Sequence, residues 1–251
     1  MKYAVFSDIH GNLEALTAAL AALATEHVDR YVCLGDSIGY GADPAPCLAK
    51  LQGINAVMVA GNHEWGALGK LEVGWFNEAA RAALVWTREQ LGFVELDLLR
   101  RLPLTATDGP FTLVHGSLRQ PSRFEYLIDL GQAIESLKNC QTLFCLVGHT
   151  HVPGLIEYDR TIHRVTRILT QPKELANVTF QDDPARWRYL LNPGSVGQPR
   201  DGNPKSSLAV IDLERRRLGI RRIAYPLETT AEKIRQAGLP AFLAERLALG
   251  R

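Results

Sequence analysis

The chain has 251 residues, of which 46% are hydrophobic and 22% are charged, and its formal net charge is +1. These values are typical of a globular protein with a sizeable core, and the near-neutral charge favours neither duplex nucleic acid nor a membrane surface as a partner. The longest run of small apolar residues, at positions 18–24, is much shorter than the ~20 residues that a membrane span needs.

Targeting and redox signals are weak in this sequence. Asp8 and His10 interrupt the apolar beginning of the chain, so it does not resemble a signal peptide. The 4 cysteines show no C-x-x-C spacing, and Cys33 and Cys145 lie within apolar runs that favour a role as core side chains. We therefore expect a cytoplasmic protein.

The first part of the chain alternates strand-like and helix-like segments. Residues 3–6 predict a short buried strand, residues 12–26 predict a helix capped by Asn12, and residues 28–34 predict a second, parallel strand. Residues 54–60 predict the third strand. This alternation predicts a layered α/β domain.

The middle of the chain changes to a helical pattern. Residues 76–91 and residues 96–102 predict two helices, the second of which ends before Pro103. We interpret residues 65–103 as a helical insertion packed beside the mouth of the functional site. The strand pattern resumes at residues 111–114.

The last part of the chain contains turn residues that separate predicted strands. From residue 155 onward we expect shorter, antiparallel strands, including a hairpin formed by residues 208–213 and 218–224. Residues 228–251 predict a C-terminal helical tail that is interrupted near Pro240. We expect residues 1–251 to form a single domain.

Five apolar runs are each followed by residues that can bind a metal ion. In chain order, these blocks are Asp8-Ile9-His10, Gly35-Asp36, Gly61-Asn62-His63-Glu64, His115-Gly116 and Gly148-His149-Thr150-His151. Five of the 7 histidines of the chain fall within them. Because ligands bind at the carboxyl ends of strands in an open α/β sheet, we expect these side chains to meet there.

The order of these blocks resembles the signature of the calcineurin-like metallophosphoesterases, which reads D-x-H, G-D, G-N-H-[D/E], H and G-H-x-H. Every position of that signature is matched within residues 1–151. Residues 192–196 (NPGSV) resemble the segment that follows the metal motifs in the small bacterial phosphodiesterase branch. The resemblance implies a four-layer α-β-β-α sandwich, in which helices flank two mixed β-sheets.

The donor atoms of the blocks indicate two metal ions. The side chains that offer nitrogen or oxygen donors are Asp8, His10, Asp36, Asn62, His115, His149 and His151. Seven donors are too many for one ion that must also bind water and substrate, whereas two ions that share a carboxylate fit the number. The set has no thiolate, which argues against a closed structural zinc site. We expect two divalent transition-metal ions, with Mn favoured and Fe, Zn, Co or Ni left open.

The resemblance also implies how the ligands are divided. One ion would be held by Asp8, His10, Asp36 and His151. The other would be held by Asp36, Asn62, His115 and His149, with Asp36 bridging the two ions. Such a pair binds a hydroxide that attacks phosphorus in line. We therefore expect hydrolysis of a phosphate ester, most of all a phosphodiester.

Other residues near the blocks are candidates for proton transfer and substrate binding. His63 follows a ligand but is not counted as one, so we predict that it donates a proton to the leaving alkoxide. Arginines in nearby loops can bind the oxygens of a phosphate. Tyr40 and Arg200 are the best candidates for substrate contacts, ahead of Arg119 and Arg123.

Three alternatives to a phosphodiesterase remain open at this point. Two of them keep the metal centre but change the substrate, namely a diadenosine polyphosphate hydrolase and a protein phosphatase. The third is a non-catalytic interaction scaffold of the kind found in a retromer sorting subunit, which lacks the proton-donating histidine. Since His63 is present here, we favour an enzyme. A nucleotide as the substrate and a homo-oligomer as the assembly are also left open.

Overall fold

The computed structural model, which describes residues 1–251 apart from the side chain of Val73, contains two six-stranded β-sheets with helices on their outer faces. The strands are β1 (Lys2–Phe6), β2 (Arg30–Cys33), β3 (Val57–Met58), β4 (Thr105–Asp108), β5 (Phe111–Val114), β6 (Phe144–Leu146), β7 (Gly154–Asp159), β8 (Arg164–Leu169), β9 (Val178–Thr179), β10 (Trp187–Asn192), β11 (Ser206–Asp212) and β12 (Arg217–Ile223).

The helices connect these strands or extend the chain beyond them. They are α1 (Leu13–Leu23), α2 (Pro44–Gly53), α3 (Asn62–Ala67), α4 (Glu78–Gln90), α5 (Phe93–Arg101), α6 (Leu130–Lys138), α7 (Pro172–Leu175), α8 (Leu227–Gln236) and α9 (Ala241–Leu249). Short 3₁₀ turns occupy Val73–Trp75 and Pro121–Arg123. Within the described chain, no helix combines the length and the apolar character needed to cross a membrane.

Both sheets are mixed. The first has the strand order β3-β2-β1-β11-β12-β9, and the second has the order β4-β5-β6-β10-β7-β8. Strands β1, β2 and β3 run parallel, whereas β11 pairs with β1 in the antiparallel direction. In the second sheet, β5, β6, β10 and β8 run in one direction, and β4 and β7 run in the opposite direction. The predicted sandwich of two mixed sheets is therefore confirmed.

The side chains of β1 show how the layers are held together. Successive residues of a strand point to opposite faces of the sheet. Tyr3 and Val5 accordingly pack against the second sheet, together with Phe111 and Phe144. Ala4 and Phe6 pack outward against the helical layer that includes α1, α2 and α9. β1 is therefore buried on both faces, as expected of one of the two central strands of the first sheet.

Several predicted bounds differ from the structure. The third strand was predicted at residues 54–60 but consists of Val57–Met58, because the preceding residues turn back to bond the end of α2. Helix α5 begins at Phe93 rather than at residue 96, since Glu95 bonds the main-chain nitrogen of Gly92 and fixes an earlier start.

The prediction of shorter, antiparallel strands after residue 155 was wrong in two respects. Strands β7, β8, β10, β11 and β12 have 6 or 7 residues, which is longer than any of β1–β6, and β10 runs parallel to β6. The sequence prediction also missed α6. The sequence does contain a feature that marks the start of this helix, namely a capping box in which Asp129 and Gln132 bond each other's main-chain nitrogens.

Candidate metal centre

The five blocks lie together at the ends of strands from both sheets. Three of them follow β1, β2 and β3 in the first sheet, and the other two follow β5 and β6 in the second. All of the acidic and imidazole side chains in these five blocks are buried. The expected meeting at the carboxyl ends of parallel strands is what the structure shows.

The backbone at these residues is strained. Five of the seven predicted ligands have φ between 50° and 67°, namely Asp8, His10, Asp36, His149 and His151. This left-handed region disfavours any residue with a Cβ, by about 1–2 kcal/mol per residue. Such strain persists only where the surrounding structure fixes it, and it concentrates at functional sites.

Asp8 has one oxygen bound within the protein and one directed at the other ligands. Its Oδ2 accepts hydrogen bonds from Ser7 Oγ at 2.6 Å and from the main-chain nitrogen of His149 at 3.0 Å. Its Oδ1 is buried without a hydrogen-bond partner among the described residues and lies 3.2 Å from His151 Nε2. A buried, unpartnered carboxylate oxygen is costly unless a cation binds it.

Three imidazoles are oriented by main-chain carbonyl groups. The Nδ1 atoms of His10, His115 and His151 lie 3.1, 2.8 and 2.6 Å from such oxygens. The acceptors belong to Ile38, Leu34 and Gln198. Because a carbonyl only accepts, each Nδ1 carries the proton and each Nε2 is left free to bind a metal.

The first group of donors consists of Asp8, His10 and His151, whose ligand atoms lie within 4.8 Å of one another. The two Nε2 atoms of this group are 3.1 Å apart. Two nitrogens that each lie about 2.1 Å from one ion are separated by roughly this distance. Asp36 Oδ2 lies 3.8 Å from His10 Nε2, which brings a second carboxylate to the group. The geometry fits one cation.

The second group lies around His115. Its Nε2 is 3.0 Å from His149 Nδ1, 3.2 Å from Asn62 Oδ1 and 3.2 Å from Asp36 Oδ2. The same oxygen of Asp36 therefore lies between the two groups. The residues present fit a pair of cations that share this carboxylate.

The charged groups of the centre shift one another's pKa values. Burial opposes ionisation of Asp36, but the surrounding imidazoles, His115 foremost, hold the pKa of its carboxyl well below the usual range. Burial lowers the pKa of His115, yet the carboxylates of Asp36 and Asp8 raise it to about 10. Burial and the neighbouring His115 lower the pKa of His149 to about 3. A metal ion therefore competes with a proton for His115.

Glu64 is a buried residue to which the sequence analysis assigned no role. Its Oε2 accepts hydrogen bonds from the main-chain nitrogens of Asp36 and Gly61, and its Oε1 accepts two from Ser37. All four partners donate, so the carboxylate is the form that satisfies them. Glu64 thereby joins the loops after β2 and β3. The sequence feature that could have revealed this role is a glutamate three residues after a helix N-cap.

His63 is not one of the predicted ligands, but one of its ring nitrogens lies within 4.8 Å of donor atoms of His10 and Asp36. Its ring is 4.8 Å from that of His10 and 4.5 Å from that of Tyr40, measured between centroids. Its Nδ1 is buried and has no partner in the described part of the chain. Gly39 has φ +87°, and a Cβ there would lie 2.2 Å from His63 Nδ1. The glycine makes room for the imidazole.

The two predicted substrate contacts lie beside His63. Arg200 is positioned with its Cζ 5.9 Å from the ring of Tyr40, and its side chain donates a hydrogen bond to Gln198. The Nε of Arg200 is buried and lacks a partner among the residues described. The structure does not bring Arg119 to this place, because its guanidinium is half exposed and pairs with Glu125 at 2.7 Å.

Residues 192–196 support the ligand loops from behind. The side-chain amide of Asn192 donates to the carbonyl of Gly148 and to Thr150 Oγ1, so it fixes the loop that carries His149. Ser195 Oγ donates a hydrogen bond of 2.7 Å to the carbonyl of Asp8. The segment thus holds two ligand loops in their strained conformations.

Comparison with known proteins matches this chain to a family. The family model described as "Calcineurin-like phosphoesterase superfamily domain" matches residues 1–216. The uncharacterized protein MJ0912 of Methanocaldococcus jannaschii is 35% identical over 254 residues, which cover 99% of this chain and 98% of that protein.

Two solved structures agree with this match. A metallophosphoesterase from Sphaerobacter thermophilus is 36% identical and superposes with a TM-score of 0.84, with 100% of both chains covered. The hypothetical protein PH1004 from Pyrococcus horikoshii OT3 shares the fold, with a TM-score of 0.77 at 21% identity and 100% and 98% coverage. Because the family model matches residues 1–216 and the buried acidic and imidazole side chains are grouped as a metal centre requires, the chain belongs to the calcineurin-like phosphoesterase superfamily.

Proposed function

We propose that the protein is a two-metal phosphodiesterase in which His63 donates a proton to the leaving group. The observation that carries the proposal is the convergence of donor atoms from both sheets into two groups that share Asp36 Oδ2. Membership of the phosphoesterase family supports phosphoester hydrolysis as the reaction. The preference for diesters is our inference from the resemblance of residues 192–196 to the phosphodiesterase branch.

Each group would hold one divalent cation, with Mn as our first expectation. The first cation would bind Asp8, His10, Asp36 and His151, and the second would bind Asp36, Asn62, His115 and His149. When bound, such a pair lowers the pKa of water toward ~7 and neutralises the negative charge of the phosphoryl group. Asn62 contributes a neutral oxygen, so the protein ligands leave the centre with the net positive charge that attracts a phosphate.

Arg200 and Tyr40 are placed to bind the phosphate oxygens. The buried Nε of Arg200 has no acceptor among the described residues, and a guanidinium binds two oxygens of one phosphate at the same time. Burial raises the pKa of Tyr40, and the charge of Arg200 partly offsets this, so the hydroxyl keeps its proton and can donate it in a hydrogen bond. Both groups would orient the ester against the metal side of the site.

His63 would supply the proton that the leaving alkoxide needs. One of its ring nitrogens lies within 4.8 Å of the donor atoms of His10 and Asp36. Burial lowers the pKa of His63 to about 4, although Asp36 acts in the opposite direction. The negative charge of the bound phosphate must therefore raise this pKa before His63 can donate at neutral pH.

The proposal is tested by metal analysis combined with turnover. The protein purified without added metal and the protein reconstituted with Mn²⁺ are compared on bis(p-nitrophenyl) phosphate and on p-nitrophenyl phosphate. We expect two ions per chain and faster hydrolysis of the diester. Binding of two ions without turnover in Mn²⁺, Fe²⁺, Zn²⁺, Co²⁺ or Ni²⁺ would overturn the proposed activity and favour a scaffold. Faster hydrolysis of the monoester would overturn only the preference for diesters.

A further inference from the structure

We propose that an aromatic pocket beside the metal centre binds a nucleobase, so that the substrate is a phosphate ester of a nucleoside; this rests on the proposed function. The pocket has a volume of about 380 Å³, which is within the range of small-molecule sites. Asn62 and His149 form part of its wall, and both belong to the second group of potential metal ligands. A molecule in the pocket therefore adjoins the reacting phosphate.

The remaining walls come from two segments that lie outside the sheets. One segment precedes and begins α4 and supplies Trp75 and Phe76, and the other follows β5 and supplies Phe124 and Tyr126. The side chain of Trp75 is 68% exposed and that of Tyr126 is 47% exposed. Large aromatic side chains that stay exposed inside a concave surface add little to the core, and such surfaces are typical of ligand sites.

The tyrosine ring links the pocket to the metal side. Tyr126 stacks on the imidazole of His149, with centroids 3.7 Å apart and an angle of 22° between the planes. Phe124 has a left-handed backbone with φ 48° and packs edge-on against Trp65 at 5.4 Å. A phenylalanine in this conformation requires support from its surroundings, so the wall of the pocket is fixed rather than loosely placed.

The described wall of the pocket contains one acidic residue, Glu125, which is paired with Arg119, so the basic groups nearby are the ones that can face a phosphate. Arg123 lines the pocket on the side of Phe124. Arg200 lies next to the pocket, since its Cζ is 5.9 Å from the ring of Tyr40, which forms part of the wall. Flat aromatic walls stack with any base, because every base has a π-face. A nucleoside phosphate ester places its base among the aromatic rings and its phosphate between the arginines and the metal centre.

A pair of ligands that differ only in the base gives the direct test. Binding of adenosine monophosphate and of ribose 5-phosphate to the protein as purified is measured by isothermal titration calorimetry, which does not depend on turnover. We expect the nucleotide to bind at least about 10-fold more tightly, a difference within the range for base–aromatic stacking. Phenyl phosphate is the third ligand, and we expect it to bind more weakly than the nucleotide.

Variants of Trp75 assign this difference to the pocket. Trp75→Ala should reduce the preference for the nucleotide by about 10-fold, whereas Trp75→Phe should keep most of it because it retains a ring. Phe93→Ala is the matched control, since Phe93 is an exposed aromatic residue of the same helical region that does not line the pocket. Thermal melting of each variant checks that the fold is retained.

Equal binding of adenosine monophosphate and ribose 5-phosphate would overturn the proposal, as would an unchanged preference in the folded Trp75→Ala variant. Binding of phenyl phosphate as tight as that of the nucleotide would also overturn it, because the pocket would then accept any aryl ring. These results are distinct from failure of the proposed function. That failure would appear as the absence of turnover of every phosphate ester by the wild-type protein, whichever ligand binds best.

Discussion

The two sides of the candidate site are built in different ways. On the metal side, Asp8, Asp36 and His115 are at most 2% exposed, and each is held by hydrogen bonds to the main chain or to a neighbouring side chain. On the aromatic side, Trp75 and Tyr126 are largely or half exposed and present their rings to solvent. Under the proposed function, the reaction would depend on buried loops at the strand ends, whereas the choice of substrate would depend on segments between the strands.

The largest effect is expected from Asp36→Asn, which tests whether both metal groups depend on one carboxylate. The change keeps the size of the side chain but removes the charge that lies between His10 and His115. We expect both ions to be lost and turnover to fall to background, as measured by metal analysis and by diester hydrolysis. Asp97→Asn on the surface of α5 is the control. Retention of two ions would show that Asp36 is not shared.

His63→Ala tests the proton donor separately from the metals. We expect turnover to fall by about 10²–10⁴-fold, which is the usual contribution of a general acid, while the metal content stays near that of the wild type. The loss should be greatest on esters with poor leaving groups, because these need the proton most. His27→Ala, at an exposed histidine, should have no effect. Full activity of His63→Ala on such an ester would exclude the proposed role.

Glu64→Gln tests the support behind the metal side. The amide of the new side chain would face donors at Asp36, Gly61 or Ser37, so at least one of the present hydrogen bonds cannot form. We expect metal affinity to fall by about 10–100-fold, measured by competition with a chelator. Glu95→Gln is a matched control, because Glu95 forms the same kind of capping box at the surface. Equal affinities in the two variants would contradict this role.

The smallest effect is expected from Tyr126→Phe, on the aromatic side. The ring that stacks on His149 is kept, and only the hydroxyl near Arg200 is removed. Removal of this one hydrogen-bonding group should raise KM by about 2–10-fold with little change in kcat. Steady-state kinetics on the chromogenic diester measures both constants. A fall in kcat of more than about 100-fold would instead place Tyr126 with the catalytic groups.

The sequence predicted the metal side better than the aromatic side for a physical reason. Each metal-binding block follows an apolar run that must become a buried strand, so the position of Asp8 or His115 in space follows from the sheet. Trp75 and Tyr126 lie in segments without such a pattern, and only packing decides where their rings point. Short-range competition also limited the prediction, since residues 54–56 bond to the end of α2 instead of extending β3.

The division of the ligands between two sheets has a further consequence. Cations bound there would act as a cross-link between the halves of the sandwich, and an unfolded chain could not assemble the same coordination. Ligands that bind only the folded state stabilise it by mass action, by about 2.7 kcal/mol at 100 times the dissociation constant. Removal of the metals should therefore lower the melting temperature of the whole protein, and an endogenous chelator would shorten its lifetime as well as stop its activity.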